Sequence, residues 1–147
     1  MALTRDLTAT FATAKAARGL DKKMLSAFEI DFSGTSMSLA QNEVMGIVDI
    51  PAGCIIYGGF MKVETAEATI TDVDIGVSTA SATDATLADG ISMATTGYVA
   101  FNNVTAGGVK TTAASELVLT NKDAQTLDAA KIEVIIDIAY FADAITS

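Results

Sequence analysis

The sequence predicts an all-β protein: about eight antiparallel strands in a jelly-roll sandwich, behind an N-terminal extended or short-helical arm. Three observations predict it. Apolar side chains alternate with polar ones at a period of two from residue 26 onward. Clusters of Gly, Asn, Asp, Ser and Thr interrupt these stretches at short intervals. No heptad pattern, fixed-period repeat or low-complexity linker competes with that reading. At 147 residues the chain is one domain's length and can bury a real core. The expected division is an arm over 1–25 and a β-sandwich over 26–147.

The arm differs from the rest. Leu3, Leu7, Phe11, Ala14, Arg18 and Leu20 fall loosely on a helical stripe, while Thr4, Thr8, Thr10 and Thr13 weaken helix propensity. The first strand follows, with Phe28, Ile30 and Phe32 alternating with Glu29 and Asp31. After a polar loop over 34–42, residues 43–50 make a second strand. Pro51-Ala52-Gly53 turns the chain into a long third one over 54–64. There Ile55, Tyr57, Met61 and Val63 are expected on one side and Cys54, Ile56 and Phe60 on the other, with Gly58-Gly59 signalling a bulge or a close backbone approach. Residues 68–78 set Val73, Ile75 and Val77 against Asp72 and Asp74. A Ser/Thr/Ala/Asp loop over 79–89 leads to a strand within 91–101, clearest at Tyr98 to Phe101. Residues 109–112 and 116–120 are a candidate pair, and 121–130 is a polar connection with room for a turn of helix. The last strand is the clearest: Ile132, Val134, Ile136, Ile138 and Tyr140 share a face opposite Glu133, Ile135, Asp137, Ala139 and Phe141.

Composition excludes much chemistry. Half the residues are hydrophobic but only 6% are aromatic, because 26 of them are Ala. With no His there is no Ser-His-Asp or Cys-His catalysis and no His-ligated metal. A single Cys allows no intrachain disulfide, zinc ribbon or iron–sulfur cluster. We therefore expect no enzyme, no cofactor and no metal. The longest apolar run, from Ala52 to Met61, is half a membrane helix. Nine aromatics without Trp make poor girdles for an outer-membrane barrel, and no secretory signal is visible. The expectation is no membrane partner, and a reduced thiol in a cytoplasmic context.

The net charge of −9 is a sum of unlike parts. Residues 1–23 hold five bases against two acids, a net of +3, and the remainder holds four bases against sixteen acids, a net of −12. Nucleic acid is not an expected partner, because the body repels phosphate and Lys62, Lys110, Lys122 and Lys131 are isolated. A basic arm on an acidic body fits a tail that docks on an acidic partner, and equally a solvated leader.

Candidate sites are few. Asp72 and Asp74, two apart on one strand face, could share a cation or hold a proton, but a solvent-facing polar side explains them better. Asp84, Asp89 and Gly90 read as loop solubilisers. Cys54 has no base to activate it and reads as a small buried hydrophobe. Gly58-Gly59 and Gly107-Gly108 precede no helix and no Gly-Lys-Ser/Thr, so neither is a phosphate loop. Sugar binding through exposed aromatics is a weak alternative, since Tyr57, Tyr98 and Tyr140 all fall inside strands. More informative are the apolar residues on the expected outward sides. Ile56, Phe60, Ile135 and Phe141 are candidates for an oligomer interface. Arg5, Phe11, Lys15, Arg18, Lys22 and Lys23 are the candidate partner-binding residues of the arm.

One run carries a resemblance. Val48-Asp49-Ile50-Pro51-Ala52-Gly53, the apolar strand through Ile55-Ile56 and Gly58-Gly59 to Lys62-Val63-Glu64-Thr65-Ala66, then Ala68-Thr69-Ile70, Val73-Asp74-Ile75-Gly76-Val77 and Ala88-Asp89-Gly90-Ile91 resemble small jelly-roll virion proteins of tailed phages. The likeness is to the cement or decoration proteins of marine and cyanobacterial phage heads. It spans roughly 44–92 and consists of strand and turn residues, with the closing strand over 131–141 in agreement. It implies a non-enzymatic protein assembled in the host cytoplasm. Such a protein sits on the capsid surface, binds the major capsid protein, forms a homo-oligomer (often a trimer) and stiffens the head. The other reading open at this point is a tail or fibre adaptor, or a host-glycan-binding jelly-roll module. An enzyme is the remote third.

Overall fold

The structure is a computed structural model, and it describes residues 22–33 and 37–140. Those residues form nine strands: β1 (Lys22–Asp31), β2 (Val44–Ile50), β3 (Cys54–Thr65), β4 (Val73–Ser78), β5 (Ala88–Ile91), β6 (Gly97–Ala100), β7 (Val109–Lys110), β8 (Ser115–Asn121) and β9 (Lys131–Tyr140). They build two antiparallel sheets. One has the order β1-β9-β3-β6, with β7 also paired to β3; the other has the order β2-β8-β4-β5. With the two-residue β7 set aside, the pairs β1/β9, β2/β8, β3/β6 and β4/β5 are nested, like one long hairpin rolled onto itself. That is the jelly roll the alternation predicts.

The strands form where the period-two pattern is strongest. The even positions of β9, from Ile132 to Ile138, are at most 1% exposed, as the alternation requires of a face turned into the sandwich. They meet Ile56, Met61 and Val63 of β3, and the facing sheet supplies Ile75, Leu117 and Leu119. No helix occurs among the described residues, so the connection over 121–130 holds no helical turn. Its conformation is set instead by Asn121, whose amide donates to the carbonyls of Leu39 (2.9 Å) and Gln125 (2.8 Å).

The candidate pair over 109–112 and 116–120 is not one, because β7 pairs with β3 and β8 with β2 and β4, and two expectations about single elements change. β1 already runs from Lys22, so Lys22 and Lys23, expected in the arm, lie in the ladder opposite Tyr140 and Ala139. The stretch over 91–101 is two elements, because β5 ends at Ile91 and β6 starts at Gly97.

β3 corrects a third. Its register against β9 shifts between Ile56 and Gly58, which inserts one extra residue at Tyr57. A one-residue insertion exchanges the faces beyond it. Cys54 and Ile56 therefore point inward together with Met61 and Val63, all four at most 2% exposed. The proposal of Ile56 as an outward interface residue fails for that reason: it is core.

Candidate docking surface

The described residues hold no group of three or more His, Cys, Asp or Glu able to bind a metal ion. Cys54 is fully buried, and burial pushes its thiol up to about 11, only partly offset by the Thr111 hydroxyl. Burial, and secondarily the Cys54 sulfur, pushes the Tyr140 phenol up to about 12. Both are held in their neutral forms. Asp72 is exposed as expected, but Asp74 is buried. Its Oδ1 accepts the Gly90 N–H at 3.0 Å. Burial raises its pKa, Asp89 and Asp72 add to the rise, and Gly90 and Lys122 oppose it. Asp89 is not a loop residue but part of β5, and Asn102 binds its backbone on both sides at 2.8 Å.

The β2-β8-β4-β5 sheet has its outer face covered by the chain itself. Val118 of β8 lies between Gly46 and Gly76 in the ladder and is fully buried. A Cβ on Gly76 would strike Asp84, and one on Gly46 would strike the Glu116 carboxylate. The two glycines thus admit these side chains flat onto the sheet. Asp84 Oδ1 accepts from Val77 N (3.2 Å), Thr86 N (2.8 Å) and Thr86 Oγ1 (2.5 Å). Ser81 donates to Glu116 at 3.1 Å, and Thr83 bonds Thr120 at 3.1 Å. Residues 79–86, within the polar loop expected over 79–89, are this cover. Beside it lies an open depression of about 570 Å³ lined by Asp49, Ser78, Thr79, Ser81, Ser115 and Glu116, with no aromatic on which a sugar could stack.

The outer face of the five-stranded sheet carries no such cover among the described residues. Cross-strand register sets Ala27, Ile135, Phe60 and Ala100 in one row over β1, β9, β3 and β6. Leu25 (62% exposed) and Tyr98 (69% exposed) flank the row, and the Tyr98 ring meets Phe60 edge-on at 5.3 Å between centroids. Two of the interface candidates from the sequence, Phe60 and Ile135, therefore stand side by side. Ile135 is itself 9% exposed, packed down by its neighbours. To one side runs a charged band in which Lys62 pairs with Glu64 (3.3 Å) and Lys131 with Glu64 (3.3 Å) and Glu29 (3.7 Å). Phe141, Arg5, Phe11, Lys15 and Arg18 lie outside the described residues.

Sequence reasoning missed Glu67, which is 9% exposed. Its carboxylate accepts the backbone N–H groups of Asp128 (3.2 Å), Ala129 (2.9 Å) and Ala130 (3.0 Å), just before β9 begins. Nothing local in sequence marks it, because its partners are more than sixty positions away.

Comparison with solved structures gives the same fold in phage heads. A chain of the cyanophage Pam1 capsid asymmetric unit superposes with a TM-score of 0.57 at 12% identity, covering 82% of this chain and 86% of that one. A chain of the Ralstonia phage GP4 capsid gives a TM-score of 0.61 at 12% identity, covering 81% of this chain and 84% of that one. At such identity the likeness is one of fold. No family model and no curated protein matches the sequence.

Proposed function

We propose that this protein is a structural component of a tailed-phage virion: a cement or decoration protein that binds the lattice of the major capsid protein and stabilises the head from its outer surface. The observation that carries this reading is the jelly roll itself. It extends over four-fifths of the chain and is shared over a similar fraction of chains from two phage capsids. The segment 1–21, which precedes β1 and holds three bases against two acids, is the part we assign to the capsid. A segment that orders on docking gains contact area at an entropic cost, and repetition over a lattice makes modest single contacts sufficient. The protein acts as a homo-oligomer, for which three copies is the number the sequence resemblance implies.

Two measurements test the reading. Image reconstruction or labelling of purified virions should find the protein on the head surface; finding it at the tail would replace this reading with the adaptor. Deleting residues 2–21, which stops short of β1, should leave a folded protein that no longer decorates empty capsids. Full decoration by the truncated protein would refute the role given to the arm.

A further inference from the structure

We infer that the outer face of the five-stranded sheet is a two-fold self-association surface, occupied by the same face of a second copy. The inference goes beyond the capsid reading and does not rest on it.

The face is unlike the rest of the surface. Its centre is the row Ala27–Ile135–Phe60–Ala100, and the row's two ends are alanines, which keep it low and flat. The opposite sheet is covered by residues 79–86, and its outward ladder positions set Asp49 directly against Glu116, with Asp74 further along beside Thr120 and Lys122 just beyond β8. Of the four bases beyond residue 23, Lys62, Lys110 and Lys131 all belong to the five-stranded sheet. Lys62 and Lys131 share the outward rows with Phe60 and Ile135, and Lys110 lies opposite the outward-facing Ile55. A copy approaching another copy of this acidic chain meets the least repulsion here.

The register also selects the occupant. The outward positions form successive rows: Glu29, Glu133, Lys62 and Tyr98; then Ala27, Ile135, Phe60 and Ala100; and further along Ala139 with Ile55. Consider a two-fold axis parallel to the strands, passing between β9 and β3. It lays each β9 on the other copy's β3 and each β1 on the other copy's β6. Ile135 then faces Phe60, Ala27 faces Ala100, Ala139 faces Ile55, and Glu133 faces Lys62. Glu29 then meets the Tyr98 ring and Asp137 meets Gly58, while the four pairs just named are apolar with apolar or acid with base; each occurs twice, as an isologous contact requires. Turning the axis to run across the strands through the apolar row would put Glu133 against Asp137, which is like charge on like. At strand spacings of about 4.8 Å and a rise of about 3.4 Å per residue, the patch spans roughly 19 by 27 Å. Two copies would bury on the order of 1,000 Å², at the lower limit for a specific interface, so the contact is a weak one in dilute solution.

Sedimentation equilibrium of the full-length protein, from micromolar to several hundred micromolar, tests this. The expected result is an even-numbered assembly: a dimer, or a hexamer where trimers pair through this face. Ala27→Arg adds bulk at an exposed site and should abolish the two-fold step with the melting temperature unchanged. Lys62→Glu and Glu133→Lys should each weaken association by about tenfold, and the double exchange should restore it, because the facing acid–base pair is re-formed with its signs reversed. A wild type that stays monomeric throughout, an assembly indifferent to Ala27→Arg, or a double exchange no better than either single change would overturn the inference. A monomeric wild type would also remove the homo-oligomer from the capsid reading, but decoration of empty capsids is read separately by the deletion of residues 2–21, so failure of this face and failure of the docking are distinguishable.

Discussion

Replacing Glu67 with Ala is the sharpest test of how the closing strand is held. The carboxylate collects three backbone N–H groups at 2.9–3.2 Å, from Asp128, Ala129 and Ala130. Ala130 is itself fully buried, and its carbonyl accepts the N–H of Phe32, at the end of β1. Removing the acceptor leaves the Ala130 donor with no route to water, at a cost of about 1–3 kcal/mol. The other two donors are partly exposed and can recover solvent, so each adds roughly 0.5–1 kcal/mol. The total is about 2–5 kcal/mol, large beside the marginal stability of a domain this size. At about 2–4 °C per kcal/mol, the melting temperature should fall by roughly 4–20 °C. Urea unfolding monitored by circular dichroism reads the change in midpoint at constant slope. Glu67→Gln should lie between, because its amide oxygen still accepts while its NH₂ faces donors. A loss below about 1 kcal/mol for Glu67→Ala would refute the clamp, since no orphaned buried donor would then exist.

Three further outcomes follow from the geometry. Ile56→Ala should cost about 2–5 kcal/mol by urea unfolding and Ile55→Ala less than about 1, because the bulge at Tyr57 turns the former into the core; equal costs would contradict the bulge. Asp74 has a folded-state pKa above its unfolded value, so its charge opposes folding above that raised pKa, and the penalty fades as pH falls towards 3.8. Asp74→Asn, which keeps the oxygen that accepts from Gly90, should therefore raise the unfolding midpoint at pH 7 and have little effect near pH 4; a destabilised variant at pH 7 would reverse that sign. Cys54, with its thiol near 11, should react slowly with a disulfide reagent at pH 8 and fully once urea unfolds the chain; fast labelling of the native protein would contradict its burial.

Much of the fold was legible because alternation is a local signal. Ile132, Val134, Ile136 and Ile138 follow from the period of two alone, as do Ile30 and Phe32. The alternation fails at Tyr57, where the glycine pair that signals a bulge does not say on which residue the parity changes. Asp84 reads as a polar loop residue, and Glu67 goes unmarked, for a related reason. What matters about each is a partner brought near by the roll: a strand glycine for Asp84, and three N–H groups ahead of β9 for Glu67. Asp74 was assigned to solvent because its strand face is polar, yet that face is where β5 and its neighbours pack. For the surface, Phe60 and Ile135 were named from outward parity on strands whose register was still unknown. Phe60 keeps its outward side because it lies beyond the bulge, opposite the inward Met61 and Val63. Ile56, on the other side of the bulge, did not.

The charge pattern shows most clearly what folding adds. In sequence the only visible asymmetry lies between the basic start of the chain and the acidic remainder. Lys62, Lys110 and Lys131 are scattered singly over seventy positions, and each alone is a solubilising side chain. Rolling the hairpin brings β3, β7 and β9 into one sheet, and the three bases with it. The acids of β2, β4 and β8 go to the opposite sheet, where Asp49 stands directly across from Glu116. Like charges paired across strands weaken a sheet, so that face gives up some stability in the isolated chain. The asymmetry seen between arm and body thus recurs between the two faces of the sandwich. The face that carries the bases is also the one whose apolar row has no cover among the described residues, and an apolar centre rimmed by both signs of charge is an arrangement that suits a contact between protein surfaces.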